Sequence, residues 1–228
     1  MPHSTLQVVN NNMATQVRAG GATRALAGRL AMIESPYPIY FEGFLSVEEC
    51  SNIRKELEFT LWRPSLIRQK QQDGAYQDVL SIPFRLSETA LQKWYGDRLN
   101  GKLKQIEDRL LELIDFDLAC LESWQATNYP RKGYLNYHLD SGYWEDHPAG
   151  DRVLTFLIYL TTPQKGGGTH FRALDITIEA KAGRLVVWNN LFPAGGADHR
   201  MFHSGEPLVK GEKITLGTWA RQRPCRAT

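Results

Sequence analysis

The second half of the chain consists of short segments rich in β-branched and aromatic residues, separated by turn signals such as Gly166-Gly167-Gly168 and Lys210-Gly211. The predicted strands cover residues 118–127, 133–138, 153–160, 169–171, 176–178, 185–188 and 214–219. Such spacing is typical of an all-β sandwich or jelly roll. Since helical patterns precede these strands, we expect an α+β, mainly β fold: a double-stranded β-helix (jelly roll) with helices packed outside one sheet.

The region before the strand-rich half carries the helical signals. Ser46-Val47-Glu48-Glu49 has the residues of a capping box and predicts the start of a helix. Residues 100–114 repeat Leu and Ile at helical spacing and predict a second, amphipathic helix. We also predict a helix over residues 88–95, strands over 38–41 and 79–84, and strand or loop over 61–77.

The 228 residues are enough for one large domain with an extension, and we divide them into an N-terminal extension, 1–35, and a jelly-roll domain, 36–228. Residues 13–33 contain three arginines and no acidic residue, which resembles a weak transit peptide. The alternative that we favour is a surface helix with Leu26, Leu30 and Ile33 as its apolar stripe.

Composition excludes several classes of protein. A formal net charge of +2 indicates no strong attraction to nucleic acid or to a membrane surface. The sequence contains no run of about 18 apolar residues, so it predicts no transmembrane helix. Cys50, Cys120 and Cys225 are odd in number and widely spaced, which favours a reducing compartment, and we expect a cytoplasmic protein.

His138 and Asp140 are the first candidates for chemistry. In an extended strand, residues i and i+2 point to the same face, so an imidazole and a carboxylate converge there. With His203 as a third ligand they would form the two-histidine, one-carboxylate site of non-haem Fe(II) oxygenases. Lys213, ten residues further on, would supply the cation that a buried dicarboxylate cosubstrate needs.

Seven motifs in the same order resemble the Fe(II)/2-oxoglutarate-dependent dioxygenases, specifically their prolyl 4-hydroxylase-like branch. The similarity extends from about residue 39 to residue 221. The motifs are Tyr40-Phe41-Glu42-Gly43-Phe44-Leu45-Ser46 with Glu48-Glu49-Cys50; Arg85-Leu86-Ser87; Tyr129, Gly133, His138 and Asp140; Arg152-Val153-Leu154-Thr155 with Tyr159-Leu160; Gly166-Gly167-Gly168-Thr169-His170-Phe171; Gly183-Arg184-Leu185-Val186-Val187-Trp188-Asn189, with Trp188 where the family has Phe; and His203, Lys213 and Trp219.

This resemblance implies roles for individual residues. His138, Asp140 and His203 would bind Fe(II), and Lys213 would pair with the distal carboxylate of 2-oxoglutarate. Tyr129 and Thr169 would hydrogen-bond the same carboxylate, with Trp219 packed beside the cosubstrate. Arg152 and Arg221 would face the substrate. The implied activity is hydroxylation of an unactivated C–H bond with O2, forming succinate and CO2, and ascorbate is the expected reductant.

Two connections are candidates for substrate recognition, because loops at the rim of a rigid scaffold often carry it. Residues 141–151 contain Tyr143 and Trp144, and residues 63–78 would form a second flap that is not a basic track. The resemblance suggests a prolyl residue in a peptide or protein as substrate. A free amino acid or another small molecule remains open, as does a non-oxygenase, metal-binding cupin-like protein, and the oligomeric state is not predicted.

Overall fold

A computed structural model describes residues 5–10, 13–17, 35–144 and 146–226. Two α-helices, α1 (Val47–Leu57) and α2 (Asp97–Leu113), precede most of the strands. Ser46 caps α1 with both hydrogen bonds of a capping box: its side chain accepts from the Glu49 backbone, and the Glu49 side chain accepts from the Ser46 backbone. Short 3₁₀ turns occupy Gln92–Trp94, Leu118–Cys120 and His199–Met201.

Eighteen strands are present in the described residues, and most of them form two sheets. The strands are β1 (Thr5–Asn10), β2 (Met13–Val17), β3 (Ile39–Glu42), β4 (Arg63–Pro64), β5 (Ile67–Lys70), β6 (Tyr76–Val79), β7 (Arg85–Leu86), β8 (Glu88–Leu91), β9 (Gln125–Tyr129), β10 (Tyr134–His138), β11 (Arg152–Tyr159), β12 (Lys165–Gly166), β13 (Thr169–Phe171), β14 (Ile176–Ile178), β15 (Leu185–Asn189), β16 (His203–Gly205), β17 (Leu208–Lys210) and β18 (Lys213–Arg221). The major sheet has the order β2-β1-β3-β15-β11-β18-β9-β8-β4, and the minor sheet β14-β13-β16-β10-β7. Two small two-stranded sheets, the β5-β6 hairpin and the pair of β12 with the distant β17, stand apart from them.

Successive side chains along the strands of the major sheet point to opposite faces, and the two faces have different surroundings. Ala90, Ala126 and Leu216 are fully buried and pack in the same hydrophobic cluster as the apolar sides of α1 and α2. Their neighbours in sequence, such as Thr89 and Thr127, point to the opposite face, where they line a cavity of about 980 Å³. The helices therefore close one side of the sheet and leave the other side for a site.

The fold class predicted from the sequence is confirmed, as are most of its elements. The helix over 100–114 is α2, and the strands from residue 133 onward lie within one or two residues of their predicted bounds. The predicted helix over 88–95 is wrong: residues 88–91 form β8, next to the edge strand β4 of the major sheet and with Ala90 buried in the core, and only residues 92–94 form a 3₁₀ turn. The predicted strand over 79–84 is also wrong, since β6 ends at Val79 and a turn follows.

The N-terminal predictions have mixed outcomes. Leu26, Leu30 and Ile33, the proposed helical stripe, lie outside the described residues. Strands β1 and β2 precede the predicted boundary at residue 36, yet β1 pairs with β3 and so extends the major sheet. That boundary stays a prediction. No helix in the described ranges is long and apolar enough to span a membrane.

Candidate functional site

His138, Asp140 and His203 meet at one point between the two sheets. Their ligand atoms all lie within 4.8 Å of one another. The Oδ1 of Asp140 is 3.6 Å from Nε2 of His138, and its Oδ2 is 3.9 Å from Nε2 of His203. The pairing of β10 with β16 places the two histidines opposite each other, so residues 65 positions apart in the chain become neighbours. This is the predicted cluster, and its three donor atoms suit a divalent transition metal.

Backbone carbonyls fix the orientation of both imidazoles. Nδ1 of His138 donates to the carbonyl of Asn136 at 2.9 Å, and Nδ1 of His203 donates to the carbonyl of Met201 at 2.8 Å. Each Nε2 is then the unprotonated nitrogen of a neutral ring and is free to bind a cation. Burial lowers the pKa of His203 to about 4, and the charge of His138 adds to this effect.

A hydrogen-bond chain holds the Asp140 carboxylate in place. Thr155 on β11 donates to Oδ2 of Asp140 at 2.7 Å, and Asn190 donates to the Thr155 hydroxyl at 2.8 Å. Burial alone would raise the pKa of Asp140, but the interactions with the His138 and His203 imidazoles, which are favourable when the rings are protonated, and with the charge of Arg152 outweigh it and lower the pKa well below its usual value. Asp140 is thus a preorganised anionic ligand.

Lys213 lies deep in the same cavity with its side chain almost fully buried, at 2% exposure. Burial lowers its pKa to about 7, although the charge of Glu206 acts in the opposite direction. No salt bridge joins Lys213 to a carboxylate within the described part of the chain. A Cβ added to Gly205 would lie 3.4 Å from Nζ of Lys213 and 3.6 Å from the Tyr129 hydroxyl. The missing side chain leaves space beside both groups.

Thr169, the other residue predicted to bind the cosubstrate, lies on β13 and also lines the cavity. Its hydroxyl is 2.6 Å from the hydroxyl of Tyr159, so it already has one partner. Through Tyr159 the minor sheet is tied to the major sheet beside the predicted cosubstrate position. Thr169 pairs directly with Gly205, which places it at the same end of the cavity as Lys213.

Arg152 and Trp219 form the wall of the cavity on the far side of the metal cluster. The guanidinium of Arg152 lies 3.7 Å from the centre of the Trp219 ring and binds Glu122 through two hydrogen bonds of 2.6 and 2.8 Å. Nε1 of Trp219 is buried and has no hydrogen-bond partner among the described residues. Arg221, in contrast, does not line the cavity: it is buried, with Nε 2.9 Å from the Glu122 carboxylate.

Trp144 connects the loop after β10 with three other parts of the molecule. Its indole donates to the backbone carbonyl of Asp140 at 3.1 Å, and the guanidinium groups of Arg68, Arg152 and Arg221 lie 4.2–4.4 Å from its ring. Arg68 belongs to the β5-β6 hairpin and also binds Asp146 with two hydrogen bonds. The hairpin and the loop, both predicted as recognition elements, are therefore joined over the cavity, and Tyr143 lines it beside them.

Two charged residues of the site were not assigned roles from the sequence. Glu122 holds both Arg152 and Arg221, but it lies in a segment predicted only as strand. Arg85 faces the cavity from β7 and donates to three hydroxyls, those of Ser87, Thr89 and Thr127. Desolvation lowers the pKa of Arg85, while Tyr129 and Asp140 act against the shift. The sequence signal that could have identified Arg85 as a site residue is its position in the Arg-x-Ser motif.

The donors suit Fe(II) and 2-oxoglutarate together. One carboxylate and two imidazoles leave further coordination positions of a metal open, as a chelating cosubstrate requires. The cavity then continues to the buried Lys213, which forms no salt bridge with a carboxylate of the described residues, and to the space that the missing side chain of Gly205 leaves. A buried cation of this kind is costly unless an anion neutralises it, and the distal carboxylate of 2-oxoglutarate would do so.

Comparison with known sequences agrees with this site. The family model of the 2OG-Fe(II) oxygenase superfamily matches residues 124–221. Prolyl 4-hydroxylase subunit alpha-1 of Gallus gallus is 26% identical over 196 residues, and subunit alpha-3 of Homo sapiens is 28% identical over 206 residues. These alignments cover 83% and 85% of this chain, but only 36% of each relative, so the chain corresponds to about a third of those subunits.

Solved structures give the same result. The viral collagen prolyl hydroxylase of Paramecium Bursaria Chlorella virus-1, in its 2OG complex, superposes with a TM-score of 0.60 at 25% identity, covering 82% of this chain and 97% of the viral one. A Pseudomonas putida prolyl-4-hydroxylase, 18% identical, has the same fold with a TM-score of 0.55 over 87% of this chain and 99% of its own. The site, the family match over residues 124–221 and this fold all support a resemblance of the chain to the 2OG-Fe(II) oxygenase superfamily, and to its prolyl 4-hydroxylase-like branch.

Proposed function

We propose that the protein is an Fe(II)- and 2-oxoglutarate-dependent dioxygenase that hydroxylates a prolyl residue of a peptide or protein and forms succinate and CO2. The observation that carries this proposal is the position of a buried Lys213, with no salt bridge to a carboxylate among the described residues, in the same cavity as the cluster of His138, Asp140 and His203. The two features match the two ends of one cosubstrate. The prolyl substrate is proposed from the names of the similar proteins.

The three residues would hold a metal with their side chains oriented as they are. Because Nδ1 of each histidine is occupied by a backbone carbonyl, the Nε2 atoms already point toward Asp140. Thr155 keeps the carboxylate oriented. Fe(II), when bound here with 2-oxoglutarate, would activate O2 and supply the oxidising power that breaks an unactivated C–H bond. The protein's own contribution is to position the reactants and to exclude water.

At the other end of the cavity, Lys213 would bind the distal carboxylate of 2-oxoglutarate. Tyr129 and Thr169 present hydroxyl groups to the same position, and charge-assisted hydrogen bonds from hydroxyls to a carboxylate are short and strong. The ammonium supplies the charge, and the hydroxyls select a carboxylate in one orientation. Arg152 faces the remaining space, where the substrate would lie, with Tyr143 and Trp144 at its rim. Trp219, which was predicted to pack beside the cosubstrate, lines the same cavity against Arg152.

The test is turnover with defined substrates. Purified protein is incubated with Fe(II), 2-oxoglutarate, ascorbate and O2, and succinate and hydroxyproline are measured with prolyl peptides or with free L-proline and other amino acids. We expect peptide-dependent succinate and peptidyl hydroxyproline. His203→Ala should abolish both products, whereas His199→Ala, an exposed histidine nearby, should not. Turnover with amino acids alone would favour a small-molecule hydroxylase, and absence of turnover and metal binding would overturn the proposal.

A further inference from the structure

The cavity has an arm that leads away from the metal cluster across the inner face of the major sheet. Strand registers align Arg63 with Thr89, Thr89 with Thr127, and Thr127 with Thr215. Residues paired in this way point to the same face, and all four line the cavity. They form one row from β18 to β4, the edge strand of the sheet, so the arm ends at the protein surface.

A second row, parallel to the first, keeps this arm open. It contains Leu91, Gln125 and Gly217, which are likewise paired across β8, β9 and β18. A Cβ added to Gly217 would meet only two atoms, at 3.8 and 4.0 Å. The absence of a side chain at Gly217 therefore widens the arm where it leaves the metal cluster. Three strand spacings separate β18 from β4, about 14 Å in all, and an extended peptide covers that distance in about four residues.

The outer end of the arm is basic and aromatic. The guanidinium of Arg63 lies 5.4 Å from the centre of the Trp94 ring, and Nζ of Lys93 lies 5.3 Å from the same ring. Arg63 and Lys93 are exposed, and no salt bridge joins either of them to a carboxylate in the described ranges. Glu88, the nearest acid along β8, precedes Thr89 and therefore points to the opposite face of the sheet.

The charge balance of the cavity wall favours anions much more than the whole chain does. Seven Lys or Arg side chains line it, against the two carboxylates of Asp78 and Asp140. The formal net charge of the entire chain is only +2. Two of the seven, Arg68 and Arg152, are neutralised by Asp146 and Glu122, and Lys213 is reserved for the cosubstrate. The cations at the outer end have no such partner within the described residues.

We propose that this arm binds an acidic segment of the substrate, with an Asp or Glu side chain held by Arg63 and Lys93 at least about four residues from the residue that is hydroxylated. The inference rests on the proposed function for the position of the hydroxylated residue. Charge complementarity at an exposed site acts mainly on association and on the choice of partner. The substrate class is therefore an acidic peptide or protein segment rather than a neutral repeat.

Fluorescent peptides with one proline in an otherwise Ala/Ser sequence test this inference. Aspartates or lysines are placed about four or more residues to the N-terminal or to the C-terminal side of the proline, and a neutral peptide serves as reference. Binding is measured by anisotropy with Mn²⁺ and 2-oxoglutarate under anaerobic conditions, and kcat/KM is measured separately. We expect the acidic peptide of one polarity to bind about tenfold more tightly than the neutral one, with the difference decreasing as salt is added.

The double variant Arg63→Glu/Lys93→Glu should reverse the order of the acidic and basic peptides. Lys104→Glu serves as the matched control, because this exposed lysine lies on α2, on the opposite side of the major sheet. Equal binding of acidic, neutral and basic peptides, or the same preference in the double variant, would overturn the inference. Turnover of the neutral peptide would leave the proposed function intact in that case, so the two failures are distinguishable.

Discussion

Lys213 and Tyr129 are directly paired across β18 and β9, and Nζ of the lysine lies 4.2 Å from the centre of the tyrosine ring. The face of an aromatic ring stabilises an ammonium group without neutralising it. The lysine therefore stays available for an anion, although it is buried. This arrangement explains how one cavity can hold a cation in the absence of a carboxylate and still bind one tightly.

Binding of 2-oxoglutarate is expected to depend on pH through Lys213. Its pKa is lowered to about 7 by burial, so it is largely neutral above that pH until a carboxylate arrives. Binding should then take up a proton, and affinity should fall from about pH 7 to about pH 9. Calorimetry in buffers of different ionisation enthalpy, with Mn²⁺ under anaerobic conditions, measures this uptake. An affinity that is constant over this range would contradict the prediction.

The lowered pKa of Lys213 also affects the stability of the protein, which should rise with pH where the affinity for 2-oxoglutarate falls. Between about 7 and 10.5, the usual pKa of lysine, the unfolded chain binds a proton at Lys213 that the folded protein lacks. The contribution of this group to the free energy of unfolding should therefore rise with pH through that window. Lys213→Met should remove this rise and weaken 2-oxoglutarate binding by about tenfold or more. Urea unfolding at several pH values provides the measurement.

Gly205→Ala tests the space beside Lys213. The added methyl group would lie 3.4 Å from Nζ and 3.6 Å from the Tyr129 hydroxyl, in ordinary contact, so the fold should tolerate it. It would occupy the position proposed for the distal carboxylate, and we expect 2-oxoglutarate affinity to fall by about tenfold. Metal affinity should not change. Gly101→Ala, on the exposed side of α2, is the control, and equal cosubstrate affinity in both variants would contradict the proposed position.

Thr155→Val tests the support of the metal ligand. The substitution removes the hydrogen bond to Oδ2 of Asp140 and leaves the Asn190 amide without its acceptor. Loss of such a supporting hydrogen bond typically reduces metal affinity by about 10- to 100-fold. Competition with a chelating dye measures this affinity. Thr177→Val, at an exposed position of β14, should bind metal as the unmodified protein does, and an equal affinity in Thr155→Val would exclude this role.

Glu122→Gln should destabilise the wall that faces the substrate. The carboxylate neutralises two largely buried guanidinium groups, those of Arg152 and Arg221. Breaking a buried pair by removing one charge leaves the other uncompensated, and we expect a loss of about 3 kcal/mol in the free energy of unfolding. Denaturant titration measures the loss. Glu112→Gln, an exposed carboxylate on α2, is the control, and similar stability of the two variants would contradict the structural role of Glu122.

The parts of the fold that could be predicted from the sequence are those determined by local pattern. The His138–Asp140 pair follows from strand geometry, and the capping box at Ser46 and the apolar repeat of α2 are local as well. Residues 88–95 were predicted incorrectly because burial of Ala90 between sheet and helices determines their conformation, and helix propensity does not reflect such a distant requirement.

The remaining part of the site depends on contacts between distant segments. Glu122 gains its role only when β11 and β18 bring Arg152 and Arg221 to it. Arg63 and Lys93 together make the outer end of the cavity arm basic, because both lie beside Trp94. Nothing in their local sequence indicates a common ligand: residues 63–78 are not predicted to be a basic track because their centre, residues 69–73, is mostly uncharged, and Lys93 lies outside that segment.

The central claim is that one cosubstrate joins the metal cluster to Lys213. Its most direct test is anomalous diffraction from crystals that contain Mn²⁺ and 2-oxoglutarate under anaerobic conditions. We predict a metal peak bound by Nε2 of His138, Nε2 of His203 and the carboxylate of Asp140, with the distal carboxylate of 2-oxoglutarate against Nζ of Lys213. A metal bound elsewhere, or a distal carboxylate directed away from Lys213, would contradict the account.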